Sequence, residues 1–239
     1  ILVSARQGTT EFSDAHAFGP RITPDGRFFA FLSYASDLVP VTGAGPLRAY
    51  LWDGDTGLTT EVAEFAAATP PFDLCLSANG AWLGAAEPGV GGTMLVHLCE
   101  IATGQVTPVS LEPVVNESTT GRGWIEVRRE GASADGRSLA LAAFAQESPG
   151  GTNHLQIYVL DTQTGARRLM TQGVDASLAN RHSTTATLSP DGALLLYRSG
   201  AANLVASDVN GMPDFFLQTV ATGQRTIVRG PRLPSNASA

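Results

Sequence analysis

The sequence has no lysine, only two cysteines and few charged residues. Its 15 basic residues are all arginine, against 22 acidic ones in a chain of 239, and the formal net charge is −7 at pH 7. The absence of lysine excludes lysine nucleophiles, Schiff bases and lysine phosphate clamps. An acidic chain also disfavours a nucleic-acid partner, because phosphate binding requires clustered basic side chains. No apolar run approaches the roughly 20 residues of a membrane-spanning helix, so we expect no membrane insertion.

A four-residue turn signature recurs along the chain. It combines Ser or Thr with Asp-Gly or Asn-Gly two residues later, and its glycines are 54, 56 and 56 residues apart. The copies are Thr23–Gly26, Ser77–Gly80, Ser133–Gly136 and Ser189–Gly192. Asp-Gly and Asn-Gly are strong hairpin signals, because both residues tolerate the positive φ of a type I′ turn. Each copy therefore predicts a tight turn between two strands.

A second signature, Thr-Gly, follows each of these turns after a variable loop. The copies are Thr56-Gly57, Thr103-Gly104, Thr164-Gly165 and Thr222-Gly223, each between two short strand-like segments. One unit therefore contains a strand, an Asp-Gly turn, a strand, a loop, a strand, a Thr-Gly turn and a last strand. Four such units make a single domain over residues 1–239. We place the repeats at about 9–65, 66–111, 112–173 and 174–230, with a tail at 231–239.

The strand after each Asp-Gly turn is apolar on successive residues rather than on alternate ones. These strands are Arg27–Leu32, Ala81–Ala86, Arg137–Ala142 and Ala193–Arg198. Successive side chains of a strand point to opposite faces, so both faces of these strands need cover. Four-stranded sheets stacked face to face around an axis supply that cover. The sequence thus predicts an all-β fold, a β-propeller of four-stranded antiparallel blades with four repeats in view.

The number of blades in the closed propeller stays open at this stage. Four blades could close a small propeller or belong to a larger one. Ile1–Ala5 resembles the last strand of a preceding blade, although it could instead pair across the closure seam, and blade four already has a last strand in Gln224–Val228. A first residue other than Met is compatible with a processed end or with a cut through a longer protein.

These units resemble a known family. The Ser/Thr-Pro-Asp-Gly-Arg turn, the apolar strand after it, a loop such as Ala202–Val205, an aromatic strand and Thr-Gly are similar to the TolB-type, WD40-like β-propeller repeat of bacterial proteins. The resemblance covers nearly the entire chain and implies a periplasmic or extracellular bacterial protein. The same repeat occurs in periplasmic scaffolds, in surface proteins and as the gating domain of some serine peptidases, so it does not select a function.

The sequence predicts no catalytic residue. The segment closest to a Gly-x-Ser-x-Gly nucleophile elbow, Gly131–Asp135, lacks the final glycine and places Ser133 on a repeat turn. The four histidines are scattered, and only His97 has a ligand-type neighbour, Cys99, on the same face of its strand. Two ligands are too few for a zinc site. We expect structural or surface histidines, and no cofactor apart from a possible calcium ion.

Calcium is one interpretation of the loop that we call the 208–214 loop. It places Asp208, Asn210 and Asp214 around a glycine turn. Calcium takes six to eight oxygen ligands in a flexible loop. The alternative is that the Asp and Asn side chains cap their own backbone.

The three tryptophans differ in their expected environment. Trp52 and Trp82 fall within strand segments and are expected to pack between blades. Trp124 lies in an insert at residues 112–129 before blade three. It is therefore our candidate for a ligand- or partner-binding surface.

The two cysteines, Cys75 and Cys99, are expected to be free, buried thiols. They fall on the first and third strands of blade two, so the second strand would separate them by about 9.5 Å, twice the strand spacing. A disulfide needs Cα atoms within about 7 Å.

The leading hypothesis is a non-enzymatic binding or scaffolding propeller with a protein or peptide partner at its rim loops or central channel. One alternative is the propeller domain of a larger hydrolase of the serine peptidase type, with its catalytic residues outside this chain. Another is a carbohydrate-binding propeller that uses rim carboxylates such as Glu117, Glu126 and Glu147. No pattern predicts the oligomeric state.

Overall fold

The structure confirms the all-β fold. It is a computed structural model that describes residues 2–6, 8–40, 47–65, 74–88, 94–111, 125–145, 152, 154–206, 208 and 210–228. These residues form sixteen strands in four separate antiparallel sheets of four, each in simple meander order. None of the described residues belongs to a helix long and apolar enough to cross a membrane.

Each sheet is one blade, and its second strand begins two residues after the turn glycine. Blade one contains β1 (Ala17–Ile22), β2 (Phe28–Ser33), β3 (Leu47–Asp53) and β4 (Leu58–Phe65). Blade two contains β5 (Leu74–Leu76), β6 (Trp82–Pro88), β7 (Met94–Glu100) and β8 (Gln105–Leu111). Blade three contains β9 (Ile125–Ala132), β10 (Ser138–Ala145), β11 (His154–Asp161) and β12 (Arg167–Leu169). Blade four contains β13 (Ser183–Leu188), β14 (Leu194–Ser199), β15 (Asp214–Thr219) and β16 (Arg225–Ile227).

The turn between the first two strands of a blade is held by its own side chains. In blade three, the Ser133 hydroxyl donates to Asp135 Oδ1 at 2.6 Å and accepts from the backbone N–H of Ser138 at 2.9 Å. Asp135 Oδ1 also accepts from the N–H of Arg137 at 3.0 Å. Equivalent bonds occur in the other three turns, where the hydroxyl belongs to Thr23, Ser77 and Ser189. The signature is therefore a hydrogen-bonded turn, which explains its Ser or Thr as well as its Asp.

The predicted type I′ geometry is wrong. The N–H of Gly26 donates to the carbonyl of Thr23 at 2.9 Å, so Pro24 and Asp25 are the central residues of the turn. Positive φ occurs at the glycine that follows them, with φ of 74° at Gly26, and not at Asp25. This is a type I turn followed by a glycine bulge. Pro24 and Pro190 favour this geometry, because the proline ring fixes φ near −65° at the first central position, and the turns of blades two and three adopt it with Ala at that position.

The blades pack in chain order. We call the side of a blade that faces the next blade its forward face, and the opposite side its backward face. Between blades one and two, Ala30 and Leu51 of a forward face pack with Leu83, Ala85 and Cys99 of a backward face. Two further apolar cores of the same kind join blade two to three and blade three to four. Strands β6 and β10 therefore have cover on both faces, as their sequences predict.

In blades two to four, a side chain of the preceding blade lies beside the turn glycine. A Cβ atom on Gly80 would lie 2.3 Å from Cδ2 of Phe28, and one on Gly136 would lie 2.4 Å from Cδ1 of Trp82. Phe28 and Trp82 hold the same position, two residues after the turn glycine of their own blade. At Gly192 the equivalent neighbour is Ser138, whose Cβ would be 3.7 Å away. All four turn glycines thus have positive φ, and at Gly80 and Gly136 the close approach of the preceding blade also excludes a Cβ.

The loop after β2 and the start of the chain together cover the backward face of blade one. Phe31 and Tyr50 on that face are 3% and 0% exposed. The residues packed with them are Val3, Ala15, Phe29, Ala35, Leu38 and Val39. The Tyr50 hydroxyl donates to the carbonyl of Ala35 at 3.0 Å. We call residues 2–6 and 8–16 the N-terminal cap.

The strand predicted at Ile1–Ala5 is wrong for the residues that are described. Ala5 makes an isolated antiparallel bridge with Phe12 instead of joining a blade. Asp37 fixes the cap, because it accepts hydrogen bonds from Arg6 Nε at 2.5 Å and from the N–H of Asp14 at 3.0 Å. The segment therefore folds over blade one rather than extending from a preceding blade.

The forward face of blade four is open. Leu194, Leu196 and Phe215 on this face are 40%, 38% and 46% exposed. The predicted cover on both faces is thus missing for β14, in which exposed and buried residues alternate. The four sheets do not close into a ring, so the array has one covered end and one open end.

Candidate functional site

A cavity lies where the first strands of the four blades converge. β1 contacts β5, β5 contacts β9, and β9 contacts β13. The cavity has a volume of about 320 Å³ and opens at the end of the array that carries the Asp-Gly turns. Its lining residues are Arg21, Ile22, Pro24, Leu76, Ala78, Ala132, Ala134, Thr187, Leu188 and Pro190. We call it the axial cavity, and eight of its ten lining residues are apolar.

Acidic turns border the axial cavity. Pro24, Ala134 and Pro190 of its lining directly precede the carboxylates of Asp25, Asp135 and Asp191. The pKa of each carboxyl is held below its ordinary value, first by the donated Ser or Thr hydroxyl and then by a backbone N–H. These groups are therefore ionised at neutral pH. Three ionised carboxylates therefore follow, directly in the sequence, residues that line this apolar cavity.

One cation lies in the lining. The Arg21 guanidinium donates from Nε to the carbonyl of Leu74 at 2.7 Å and from Nη1 to the carbonyl of Pro20 at 2.7 Å. The first bond links blade one to the first strand of blade two. None of the lining residues is Ser, Cys, His, Asp or Glu. Thr187 supplies the one side-chain hydroxyl of the lining, and no base lies beside it among the lining residues, so the cavity has the chemistry of an apolar binding site.

A second concavity lies between blades two and three. It has a volume of about 460 Å³. Its lining is Trp82, Glu100, Gln105, Thr107, Pro108, Val109, Thr162, Gln163, Thr164 and Gly165. Trp82 forms its floor and also rests on the turn of Gly136. The expectation that Trp82 packs between blades is thus met, and the residue additionally lines an open groove.

Ser133 belongs to the fold and not to a catalytic elbow. It is 1% exposed, and its hydroxyl donates to Asp135. The same bond forms in every repeat, so its partner is explained by turn structure. No described histidine is recorded as its hydrogen-bond partner.

Two histidines that sequence reasoning treated as scattered lie together. The rings of His154 and His182 are 5.2 Å apart, and His182 is 5.9 Å from the ring of Phe144. His182 Nδ1 accepts from the N–H of Leu155 at 3.0 Å. The pKa of His154 is lowered, first by burial and then by the charge of His182. Within the described residues no group of three or more His, Cys, Asp or Glu side chains could hold a metal ion.

The 208–214 loop combines features of both of its interpretations. Asn210 Nδ2 donates to Asp214 Oδ2 at 2.9 Å, and Asn210 Oδ1 accepts from the N–H of Met212 at 2.7 Å. These bonds are the self-capping pattern. Asp208 is 8% exposed, and its buried Oδ1 has no hydrogen-bond partner among the described residues. The structure thus brings Asn210 and Asp214 into contact, and a calcium ion in this loop stays a prediction.

Several candidate residues lie outside what the structure describes. Trp124, Glu117 and Glu147 are outside the described residues. Glu126 lies on β9, for which only the backbone is described. The proposed surface at Trp124 and the rim carboxylates for a sugar therefore stay predictions.

The two cysteines lie on opposite faces of blade two. Cys75 is 1% exposed and packs toward blade three, and Cys99 is 3% exposed and packs toward blade one. Strand β6 lies between them, as expected. Neither forms a disulfide, and burial raises the pKa of Cys99 to about 11. A thiol with this pKa is protonated at neutral pH and unsuited to nucleophilic attack.

Solved structures with the same architecture are β-propellers. A protein from Agrobacterium tumefaciens assigned as TolB is 15% identical, with a TM-score of 0.52 over 92% of this chain and 64% of that one. The β-propeller domain of the Trilobed protease from Pyrococcus furiosus is 14% identical, with a TM-score of 0.56 over 85% of this chain and 55% of that one. The acylaminoacyl peptidase from Pyrococcus horikoshii is 13% identical, with a TM-score of 0.52 over 88% of this chain and 31% of that one.

These likenesses establish the fold. No protein-family model and no curated protein matches the chain. The chain spans less than two thirds of the length of each of the three solved chains. Its fold is a β-propeller similar to that of the protein assigned as TolB, and the same fold occurs in peptidases. The fold alone selects no activity.

Proposed function

We propose that the chain is a non-catalytic binding propeller whose axial cavity accepts an apolar side chain of a protein or peptide partner. The observation that carries the proposal is the lining of the cavity, which draws apolar residues from all four blades and contains no Ser, Cys, His, Asp or Glu. Binding sites of this kind are concave, mostly apolar and built on rigid elements.

The dimensions and charge of the cavity define the partner. A volume of about 320 Å³ suits one or two side chains and not a folded domain. The acidic turns at the border favour a segment in which basic residues flank the apolar anchor, because opposite charges at a rim steer association. The partner we propose is therefore an extended peptide with a large apolar residue between Lys or Arg.

The test fills the cavity. Ala78→Phe projects a ring into the lining, and we expect it to weaken binding of a Lys-Leu-Phe-Lys-type peptide by at least about tenfold, since that corresponds to one displaced apolar contact of ~1.4 kcal/mol. The matched control is Ala202→Phe, at an exposed residue of a loop outside the cavity. Fluorescence anisotropy of the labelled peptide measures affinity. A peptide in which Ser replaces both Leu and Phe is the negative control. Equal affinity of both variants for the peptide would refute the proposal.

A second candidate is the propeller domain of a larger hydrolase. The likeness to the propeller of the Trilobed protease supports it. In that case the axial cavity would lie beside a catalytic domain encoded outside this chain, and the purified chain would itself remain inactive. Turnover of peptides, esters or simple glycosides by residues 1–239 would contradict both candidates.

We also propose a periplasmic or extracellular location in a bacterium. The likeness to TolB supports this location. Fractionation of the source cells followed by immunoblotting tests it, and recovery in the cytoplasmic fraction would refute it.

A further inference from the structure

In blade one, an arginine, an aromatic ring and a carboxylate form one group beside the turn. Cζ of Arg27 lies 4.6 Å from the centroid of the Phe28 ring. Its Nε and Nη2 donate to the two carboxylate oxygens of Asp53, both at 3.3 Å, and Asp55 is a further ionic neighbour of Nε at 2.9 Å. Phe28 and Asp53 are cross-strand partners on β2 and β3. A ring and a carboxylate at one register of the repeat thus hold a guanidinium together.

Blade two has the ring and the carboxylate of this group but not the arginine. Trp82 and Glu100 are cross-strand partners on β6 and β7, at the same place in the repeat. The residue that follows the turn glycine is Ala81, where blade one has Arg27. Blade two therefore lacks the cation of the group and keeps the two partners that bind it.

In the other two blades, the arginine and the carboxylate are present or absent together. Blade three has both, and Nε of Arg137 lies 3.6 Å from Oδ2 of Asp161 in the same blade. Blade four has neither, because Ala193 and Thr219 stand at these positions. Of the four blades, blade two is the one in which the carboxylate, Glu100, stands without its arginine.

The Glu100 carboxylate has acceptor capacity left for such a cation. Its Oε2 accepts from the Thr103 hydroxyl at 2.8 Å, and among the described residues no hydrogen-bond donor reaches Oε1. A carboxylate oxygen can accept more than one hydrogen bond. Asp53 Oδ1 does so in blade one, from Arg27 and from the N–H of Asp55. The bond from Thr103 therefore leaves Glu100 able to bind a guanidinium.

The groove between blades two and three gives access to Trp82 and Glu100. Its volume of about 460 Å³ falls within the range of small-ligand sites, about 300–1,000 Å³. Glu100 is the one charged residue among the described residues that line it, and the amides of Gln105 and Gln163 lie in the same lining. Gln105 is the cross-strand partner of Glu100, and Gln163 belongs to the turn of blade three. Their amide oxygens can accept guanidinium N–H groups that Glu100 does not reach.

We propose that this groove binds the guanidinium of an arginine side chain presented by a partner polypeptide. The indole of Trp82 covers one face of the guanidinium and the Glu100 carboxylate accepts from its N–H groups, in the way that blade one holds Arg27. Arginine fits better than lysine, because a guanidinium combines a planar face with a fork of donors, whereas an ammonium is a compact, strongly hydrated charge. The groove is separate from the axial cavity, with which it shares no lining residue.

The test uses short peptides that have no apolar side chain. Acetyl-Gly-Gly-Arg-Gly-Gly-amide is titrated into the isotope-labelled chain, and binding is followed on the indole N–H resonance of Trp82, which Trp82→Phe identifies. A peptide with citrulline keeps the shape of arginine without its charge, and a peptide with lysine keeps the charge without the planar fork. We expect citrulline to weaken binding by at least about tenfold, since hydrogen bonds to a charged group are lost, and lysine to weaken it by a smaller factor.

Two variants and one matched control locate the site. Glu100→Gln removes the charge and keeps an acceptor for Thr103, and Ala81→Arg supplies a guanidinium from within the chain, as Arg27 does in blade one. Each should weaken binding of the arginine peptide by at least about tenfold. Ala193→Arg adds the same side chain at the same place in blade four, where no carboxylate faces it, and should bind the peptide as the parent does. Far-ultraviolet circular dichroism should show the same fold in all of them.

Three results would overturn the proposal. They are no shift of the Trp82 resonance at millimolar arginine peptide, equal affinity for the arginine and citrulline peptides, and unchanged affinity in Glu100→Gln. A shift caused by maltose but not by the arginine peptide would assign the groove to a sugar and would overturn it as well. Weakened binding in Ala81→Arg together with parental binding in Ala193→Arg would support it.

Discussion

Replacing Gly80 with Ala separates two reasons for a turn glycine. Gly80 has φ of 68°, and a Cβ there would lie 2.3 Å and 2.7 Å from two ring carbons of Phe28. Gly26 holds the same place in the turn of blade one, with φ of 74°, and a Cβ there would meet nothing within 4 Å. The two substitutions therefore share the backbone cost and differ in the contact with a preceding blade.

The magnitudes follow from these geometries. Ala in the left-handed region costs about 1–2 kcal/mol, which is the whole expected loss for Gly26→Ala. Gly80→Ala adds the displacement of a packed ring, which as overpacking costs about 1–3 kcal/mol more. Gly80→Ala should thus lower the free energy of unfolding by about 2–5 kcal/mol, a large part of the 5–15 kcal/mol typical of a domain.

Equilibrium unfolding in urea measures both losses. Far-ultraviolet circular dichroism and tryptophan fluorescence should give coincident transitions before the free energies are compared. Combining Phe28→Ala with Gly80→Ala should recover part of the additional loss, because the two residues are in direct contact and their effects couple. Equal losses in the free energy of unfolding for Gly26→Ala and Gly80→Ala would refute the close packing of Phe28 against Gly80.

Three further predictions concern the turns, the cysteines and the 208–214 loop. Changing Asp25, Asp135 and Asp191 together to Asn should leave stability at pH 7 nearly unchanged, because Asn79 already makes the same turn bonds in blade two. The three carboxyls have pKa values below their ordinary 3.8 in the folded chain. The stability that they contribute is therefore complete above pH 3.8 and is lost as the pH falls through the folded pKa values. The triple variant should lose less stability on acidification than the parent, and identical stability profiles in acid would contradict this. Mass spectrometry after alkylation of the unfolded, non-reduced protein should find both cysteines labelled, and a cross-linked peptide would show the strand order to be wrong. Calcium should raise the melting temperature of the parent but not of a variant with Ala at all three oxygen-bearing residues of the 208–214 loop, since a ligand bound only by the folded state stabilises it. An unchanged melting temperature of the parent would contradict a calcium site and support the interpretation that the side chains cap their own backbone.

Most of the fold could be predicted from short-range sequence signals. The Asp-Gly and Thr-Gly turns depend on residues within six positions of one another, so the turn sites and the strands that flank them could be predicted from a single repeat. The type I′ prediction was wrong although the sequence held a signal against it, because Pro24 at the first central position favours a type I turn in which only the following glycine has positive φ. This error in the backbone φ of the turn does not affect the predicted order of the strands.

Contacts between repeats were beyond sequence reasoning. Phe28 packs against Gly80, which is 52 positions later in the sequence. No feature of the sequence distinguishes Gly80 from Gly26 in this respect. The pair of His154 and His182 is formed across blades three and four, so neither residue signals the other. The axial cavity likewise requires one strand from each blade and has no motif of its own.

The two ends of the array follow from its one-way packing. Every blade covers the one before it, so a linear stack necessarily leaves one backward face and one forward face without a neighbour. At the first end, Phe31 and Tyr50 are buried because the loop after β2, with Ala35, Leu38 and Val39, covers them together with the N-terminal cap. A ring closed by direct stacking of blade four on blade one would have to displace that cap and expose its apolar contacts. At the other end, Leu194, Leu196 and Phe215 stay exposed, because no described segment covers them in the same way.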